Sequence, residues 1–377
     1  MLFQVPELTD DDHRVLAEID EFRRRLRFQL AEPHHWDRPL RRSLTARAIV
    51  GSNTIEGYTV SLDTAQAVVA GIEPSGESGE AALDAVRGYH DALTYVQQSA
   101  SFEVFAYEEM LLSALHFMMI RNVPGKWPGR YRSGGILVTG GPGRPPAYVG
   151  PDAEEVPGLM RELVDWLTSG DLDAPVFVRA ALAHLNLVSI HPWRDGNGRM
   201  SRCLHTLVLA RDRVLAPEFS SIEEWLGLSA LNTAEYYAAL ATTGRTYQPD
   251  HDTHEWVRFC LRVHHIQAQI VDRRVVATAR TWGAITELAE SRGLHERTIT
   301  ALYSATTGGL RRGTYEKDEG LTRDQALRDL NLLVRLGLLE PVGQGNLRSY
   351  TAAAELKALS EEISHAVTGS PLREPYQ

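Results

Sequence analysis

The chain has 377 residues, of which 43% are hydrophobic and 23% charged, a composition typical of a globular protein with a sizeable core. Its formal net charge of −10 argues against non-specific binding of nucleic acid over the whole surface, although a local basic patch is compatible with it. The two cysteines do not support a disulfide framework and have no CxxC metal spacing. The N-terminal residues lack the pattern of a signal peptide, and no apolar stretch approaches the roughly 20 residues of a membrane helix, so a cytoplasmic location is expected.

Most of the sequence has the apolar periodicity of α-helices. Thr9 and Asp10 can cap a first helix, and Ser61 can cap a later one. Helical patterns cover about residues 39–50, 61–70, 81–98, 107–120, 154–169, 175–189 and 199–211. Two short apolar runs, at 136–139 and 147–149, flank a Gly/Pro-rich turn at 140–146 and predict a β-hairpin. The helical pattern at 39–50 is expected to end near Gly51 and Ser52.

The character of the sequence changes after about residue 279. Short helices are expected at 284–289 and 294–302, and a strongly amphipathic helix at 322–336. Two strand-like runs then flank a turn at 343–346. A helix followed by such a hairpin indicates a winged-helix-like domain over about 280–355, and residues 356–377 form a C-terminal tail.

The most informative segment is HPWRDGNGRMSR, at residues 191–202. Gly196, Asn197 and Gly198 lie just before a helical stretch, and the glycines allow backbone N–H groups to converge on an anion. The positive end of the following helix adds to this site. Arg199 and Arg202 are three residues apart, so they project from one helix face beside it. The pattern predicts an anion cradle with two guanidinium groups.

Two further side chains at this loop add chemistry to the cradle. The Asp195 carboxylate would repel a bare anion, but it fits there if it holds a divalent cation such as Mg²⁺ together with phosphate oxygens. His191 begins the same loop and has the pKa range of a general base. Together with the cradle, these residues indicate phosphate-transfer chemistry on a nucleotide.

This segment resembles the Fic-family signature HxFx(D/E)GNGRxxR, with Trp193 where the family usually has Phe. Trp193 is expected to face the core. The resemblance implies a mainly α fold, with a Fic catalytic core over residues 101–275. It also implies that the hairpin at about 133–149 is a flap that holds a target peptide by strand addition.

The resemblance implies a protein adenylyltransferase that moves AMP from Mg-ATP to a Ser, Thr or Tyr hydroxyl of a target protein, which could be the chain itself. His191 would deprotonate the hydroxyl, and Asp195 would hold Mg²⁺ against the α- and β-phosphates. The phosphates would be bound by the cradle and by the two arginines, that is by Gly196, Asn197, Gly198, Arg199 and Arg202. Proteins of this architecture are often dimers, so a homodimer is expected.

Many Fic proteins carry an inhibitory helix with the pattern (S/T)xxxE(G/N). Residues 52–57, SNTIEG, match it within the N-terminal helical region 1–100, with Ser52 and Glu56 at the defining positions. The resemblance implies that Glu56 forms a salt bridge with Arg202 and occupies the γ-phosphate site. The other interpretation is a helix end capped by Gly57, with Glu56 merely solvated. In some relatives the same Glu orients a water that removes AMP, so that activity stays open.

Two alternative functions also stay open. A phosphate cradle does not select a base, so the donor could supply phosphocholine, UMP or phosphate instead of AMP. The chain could also be a DNA-binding regulator whose core only senses nucleotide, since Arg323, Arg328 and Arg335 on the helix at 322–336 could contact phosphates. Tyr236 and Tyr237 fall in a region that can lie near the adenine in the family, although core packing is their default interpretation.

Overall fold

The computed structural model describes residues 1–74, 79–139, 145–344 and 348–377. Within these ranges the α-helices are α1 Asp10–Gln29, α2 Asp37–Ile55, α3 Leu62–Val69, α4 Glu80–Ser99, α5 Glu109–Ile120, α6 Val156–Ser169, α7 Val176–Ile190, α8 Asn197–Asp212, α9 Glu223–Leu226, α10 Ala230–Ala241, α11 His254–Ser291, α12 Thr298–Thr306, α13 Arg312–Glu319, α14 Arg323–Arg335 and α15 Ala354–Thr368. The strands are β1 Leu137–Val138, β2 Tyr148–Val149, β3 Leu310–Arg311, β4 Leu339–Val342 and β5 Ser349–Ala352. The mainly α fold predicted from the sequence is confirmed. No helix in the described ranges combines the length and the apolar character needed to cross a membrane.

Helix starts follow the capping residues read from the sequence. The Thr9 hydroxyl accepts a hydrogen bond from the backbone N–H of Asp12 at the start of α1, and Ser61 does the same for Thr64 at the start of α3. Thr322 forms a capping box with Gln325 at the start of α14. Such caps satisfy backbone donors that have no partner inside the helix, which is why these positions fix the boundaries.

A central helix pair, α7 and α8, positions the site. Ala180, Ala181 and Ala183 on α7 are fully buried, and their small side chains allow α8 to approach closely. Leu204 and Leu207 on α8 are also fully buried, in the main hydrophobic core. The loop that joins the two helices, 191–196, is therefore held on a rigid scaffold.

The predicted hairpin is present as an antiparallel pair in which Leu137 lies opposite Val149. The second strand is covered on its outer side, since the Val149 N–H donates to the Arg245 carbonyl at 2.9 Å and Val149 bridges to Thr246. Strand β1 has no other strand partner among the described residues. The predicted turn at 140–146 lies mostly outside the described residues, as does part of the turn at 343–346.

The C-terminal part contains a three-stranded sheet in the order β3-β5-β4, packed with α12, α13 and α14 around its own core. Its identification as a winged helix stays a prediction. It packs against the N-terminal region, where the Arg42 guanidinium pairs with both carboxylate oxygens of Asp318 at 2.9 and 2.8 Å. Arg311 pairs with Asp63 at 2.7 Å. Arg311, which precedes the arginine-bearing helix predicted at 322–336, thus pairs with a carboxylate of this chain.

Three element boundaries differ from the prediction. Helix α2 continues through residues 52–55 because Ser52 and Asn53 are fully buried and the Asn53 amide donates to the Ile49 carbonyl at 2.8 Å. Helix α8 begins at Asn197 rather than at 199. The short helix expected at 284–289 is the last part of α11, because the change in composition near 279 marks a change of packing partner and not a break in the backbone.

Candidate active site

The loop between α7 and α8 is held by backbone geometry and by one buried amide. Gly196 has φ +78°, and a Cβ there would lie 3.2 Å from the Ile120 side chain, so a side chain would strain both backbone and packing. The Asn197 amide accepts from the Trp193 N–H at 3.0 Å and donates to the Trp193 carbonyl at 2.9 Å. Trp193 is fully buried, which confirms that it faces the core. The loop is thereby fixed over the N-terminal end of α8.

The imidazole of His191 is oriented by a hydrogen bond through one of its two ring nitrogens. Its Nδ1 donates to the Val188 carbonyl at 3.0 Å, since a carbonyl can only accept, and this leaves Nε2 as the acceptor. Burial lowers the pKa of His191, and the positive charge of Arg132 acts in the same direction. The hydrogen bond to the Val188 carbonyl and the charges of Glu56 and Asp195 act in the opposite direction but do not offset burial. The imidazole is therefore uncharged at neutral pH, with Nε2 able to take a proton.

Two residues that the sequence analysis did not single out support this loop. The buried Arg132 guanidinium donates to the carbonyls of His191 at 2.8 Å, Gly134 at 2.9 Å and Pro151 at 2.6 Å. His116 donates from Nε2 to the Asp195 carbonyl at 3.0 Å and accepts at Nδ1 from a backbone N–H at 2.8 Å. Its ring also stacks on Trp193, with 4.3 Å between the centroids.

The sequence contains a signal for His116 but none for Arg132. His116 lies on the apolar face of α5, and a histidine in such a place is a sign of a satisfied buried side chain. No local pattern distinguishes Arg132 from a surface arginine, because its partners come from three separate segments of the chain. Burial lowers the pKa of His116 to about 4, so this ring too is neutral at physiological pH.

The anion cradle has a buried guanidinium without a full set of partners. Arg199 is 3% exposed, and its Nε has no hydrogen-bond partner among the described residues. The carboxylate nearest to Arg199 is that of Asp195, 3.9 Å from an Nη atom. A buried donor of this kind is costly to leave unsatisfied, so its position fits an anionic ligand that would satisfy it. It lies beside the N-terminal end of α8, as the sequence analysis predicted.

Glu56 and Ser52 contact Arg202, as the sequence resemblance implied. The Arg202 Nε donates to the Ser52 hydroxyl at 2.8 Å, and one Nη donates to the Glu56 carboxylate at 2.8 Å. The carboxylate also lies over Gly198, where a Cβ would be 2.5 Å from its oxygen. Burial alone would lower the pKa of Arg202, but the charge of Glu56 and its hydrogen bond, together with the nearby Tyr236 and Tyr89, outweigh burial and the pKa is raised. A carboxylate thus occupies the space between Gly198 and Arg202.

Asp195 lies at the rim, with its side chain 36% exposed. One carboxylate oxygen accepts from the Gly196 N–H at 2.7 Å, and the other lies 3.3 Å from the Lys126 ammonium. In the described parts of the chain, no three His, Cys, Asp or Glu residues are grouped to hold a metal ion. A magnesium ion here would need oxygens from the nucleotide, and Mg²⁺ is commonly bound by one carboxylate and phosphate oxygens.

The tyrosine pair divides between core and surface. Tyr236 is 1% exposed and its hydroxyl lies 3.0 Å from the His184 Nε2. Tyr237 is 48% exposed and its hydroxyl lies 3.5 Å from the Ile55 carbonyl at the end of α2. Core packing therefore accounts for Tyr236, while Tyr237 lies beside the segment that carries Glu56. A contact with the adenine stays a prediction.

Comparison with known proteins places this loop inside a recognised domain. A model of the Fic/DOC family matches residues 106–209. A protein adenylyltransferase Fic of Nematostella vectensis is 30% identical over 216 residues, which cover 55% of this chain and 47% of that protein. Protein adenylyltransferase fic-1 of Caenorhabditis elegans is 29% identical over 191 residues, 49% of this chain and 34% of that one. The chain thus spans less than half the length of these curated relatives.

Solved structures share the fold over a larger part of the chain. A Fic family protein from Desulfovibrio desulfuricans G20 has a TM-score of 0.58 and 24% identity, covering 93% of this chain and 99% of that one. A fragment of Fic-1 from C. elegans has a TM-score of 0.54 and covers 69% of this chain and 71% of that one. At these identities the likeness describes the fold alone. The match of the family model therefore identifies residues 106–209 of this chain as a Fic/DOC family domain.

Proposed function

We propose that this chain transfers AMP from ATP to a hydroxyl group of a protein. The observation that carries the proposal is the state of His191, whose Nε2 is an available acceptor beside the cradle of Gly198 and Arg199. A site that only sensed nucleotide would not need a neutral base at this point. The names of the curated relatives, protein adenylyltransferase, support AMP as the group transferred.

The chemical step is a substitution at the α-phosphorus of ATP. The oxygen of a target Ser, Thr or Tyr forms a bond to this phosphorus, the bond to the bridging oxygen of the β-phosphate breaks, and pyrophosphate leaves. The hydroxyl proton passes to the Nε2 of His191, which then carries the charge. A base at this position contributes typically about 10²- to 10⁴-fold to such a rate.

The chain's own residues supply the binding of the phosphates. The N–H groups at the start of α8 and the guanidinium groups of Arg199 and Arg202 bind phosphate oxygens, which fits the unpartnered Nε of Arg199. Asp195 is the residue that would hold Mg²⁺, which neutralises charge on the phosphates when bound. Arg132 and His116 act through the backbone, since they fix the carbonyls of His191 and Asp195.

We further propose that Glu56 inhibits the enzyme by competing for Arg202. ATP can bind while the pair is intact, but its outer phosphate is displaced, and in-line attack needs reacting atoms about 3–3.5 Å apart and aligned. Residues 52–57 are then an inhibitory segment at the end of α2. This is supported by the 2.8 Å contact between the carboxylate and the guanidinium.

The direct test uses ATP labelled at the α-phosphate, Mg²⁺ and total protein from a cell lysate. Wild type, Glu56→Gly and His191→Ala are compared, with ATP binding measured separately. Label on protein that rises in Glu56→Gly and disappears in His191→Ala supports the proposal. Binding of ATP without label in any sample would contradict it. Competition with UTP and CDP-choline distinguishes another donor from ATP.

A further inference from the structure

A cleft of about 510 Å³ lies beside the hairpin, and none of the cradle residues Gly196, Asn197, Gly198, Arg199 and Arg202 lines it. Three basic residues line it, Lys126, Arg132 and Arg194, together with the segment 134–137 that leads into β1. Gly134 and Gly135 have no atoms within 4 Å of the place where a Cβ would be, so this side of the cleft is open. The cleft can therefore be entered by a side chain from another polypeptide.

The cleft has an excess of positive charge. Arg194 is exposed and forms no ion pair with a carboxylate of the described residues. Its guanidinium carbon lies 3.2 Å from the centroid of the Trp127 ring. Within the described ranges, Arg132 donates to backbone carbonyls and to no carboxylate. Lys126 lies 3.3 Å from Asp195. Among the lining residues no carboxylate balances these three cations.

The cleft lies next to a strand edge to which another polypeptide could bind. Strand β1 has no other strand partner among the described residues, and Leu137 on this strand is 61% exposed. An extended segment that paired with β1 would run along the cleft, and every second side chain of a strand faces the same side. Residues 136 and 137 line the cleft itself, so a side chain of the added strand would reach Arg194.

We propose that this cleft is a specificity subsite for an acidic side chain, Asp or Glu, within a few residues of the hydroxyl that receives AMP. Arg194 is the main partner, because Trp127 orders its guanidinium through a cation–π contact and nothing in the described chain neutralises it. Lys126 is shared between this side chain and Asp195. The inference rests on the proposed AMP transfer and adds the class of sequence that is modified.

The test maps modified sites rather than total label. Three proteins are compared: Glu56→Gly alone, Glu56→Gly with Arg194→Glu, and Glu56→Gly with Arg130→Glu. The last is the control, because Arg130 is also exposed but does not line the cleft, and its substitution changes the net charge by the same amount. Each protein is incubated with Mg-ATP and total lysate protein, and the modified sites are located by mass spectrometry. The strongest site is then made as a synthetic peptide with its nearest acidic residue kept or replaced by the amide.

We expect Asp and Glu to be enriched near the sites modified by Glu56→Gly and by the Arg130→Glu control. With Arg194→Glu, we expect Lys or Arg to be enriched near the modified sites instead. The amide peptide should have a KM about tenfold higher with Glu56→Gly and an unchanged kcat, because one charge-assisted contact is lost. Sites without acidic enrichment, or the same enrichment with Arg194→Glu, would overturn the subsite while leaving AMP transfer intact. An absence of modified sites with all three proteins would overturn AMP transfer itself.

Discussion

Replacing Glu56 by glutamine keeps the size of the side chain and removes its charge. The carboxylate accepts a hydrogen bond at 2.8 Å from Arg202, a guanidinium only 1% exposed. A hydrogen bond to a charged group contributes about 1.5–3 kcal/mol, and about 1.4 kcal/mol corresponds to a factor of ten. If ATP must break this contact to place its phosphates, Glu56→Gln raises the rate of AMP transfer about tenfold. Glu56→Gly, which leaves no acceptor, raises it about a hundredfold.

The same change lowers the stability of the protein without nucleotide. Arg202 is buried, and removal of its counter-charge leaves part of its charge uncompensated. We expect a lower Tm for Glu56→Gln in buffer and a larger increase of Tm on adding Mg-ATP than in wild type. Glu362→Gln is the matched control, since Glu362 is exposed on α15 and has no ion pair among the described residues. An unchanged rate at saturating ATP, with ATP binding intact, would refute the competition between Glu56 and the phosphates.

Four other outcomes are expected. His191→Ala should lower AMP transfer at least about 100-fold in the labelled-ATP assay while ATP binding measured by calorimetry persists. Because burial lowers the pKa of His191, kcat should fall only below the ordinary histidine pKa of about 6.5, and an acid limb above pH 7 would contradict this. Burial lowers the pKa of His116 to about 4 and that of His205 to about 3. As the pH falls, these histidines are therefore protonated in the unfolded chain before they are protonated in the folded protein, which favours unfolding. The free energy of unfolding measured in urea should fall between about pH 6.5 and 5.5, and a value that does not change over this range would count against the reasoning. Arg132→Met should lower kcat about tenfold or more and also lower Tm, whereas a change in KM for ATP alone would argue against a role in positioning His191.

The parts of the site that lie within one stretch of sequence were predictable, and those assembled from distant segments were not. Glycines before a helix, with a histidine and an aspartate in the same loop, predict an anion site and a base from neighbouring positions in the sequence. Glu56 lies 146 residues from Arg202, and only the family resemblance related them. Nothing local predicts that Arg132 is buried, because its partners His191 and Pro151 belong to other segments.

The helix boundaries show the same division. Polar residues such as Ser52 and Asn53 are typical of a helix end in an isolated sequence, but here burial and a bond to the Ile49 carbonyl keep α2 helical through Ile55. The break expected near residue 279 was inferred from composition. A change in composition indicates that a segment packs against different residues, but it does not indicate whether the helix ends there.

The uninterrupted course of α11 has a consequence for the chain as a whole. Over 38 residues the helix is about 57 Å long. It contributes Trp256 to the main hydrophobic core, Val275 to a smaller buried cluster with Leu26 and Trp36, and Ile285 to the core of the C-terminal part. A cut near residue 279 would also separate Thr278 from the Tyr303 hydroxyl, which lies 2.9 Å away. The chain is therefore not a pair of exchangeable modules joined by a linker.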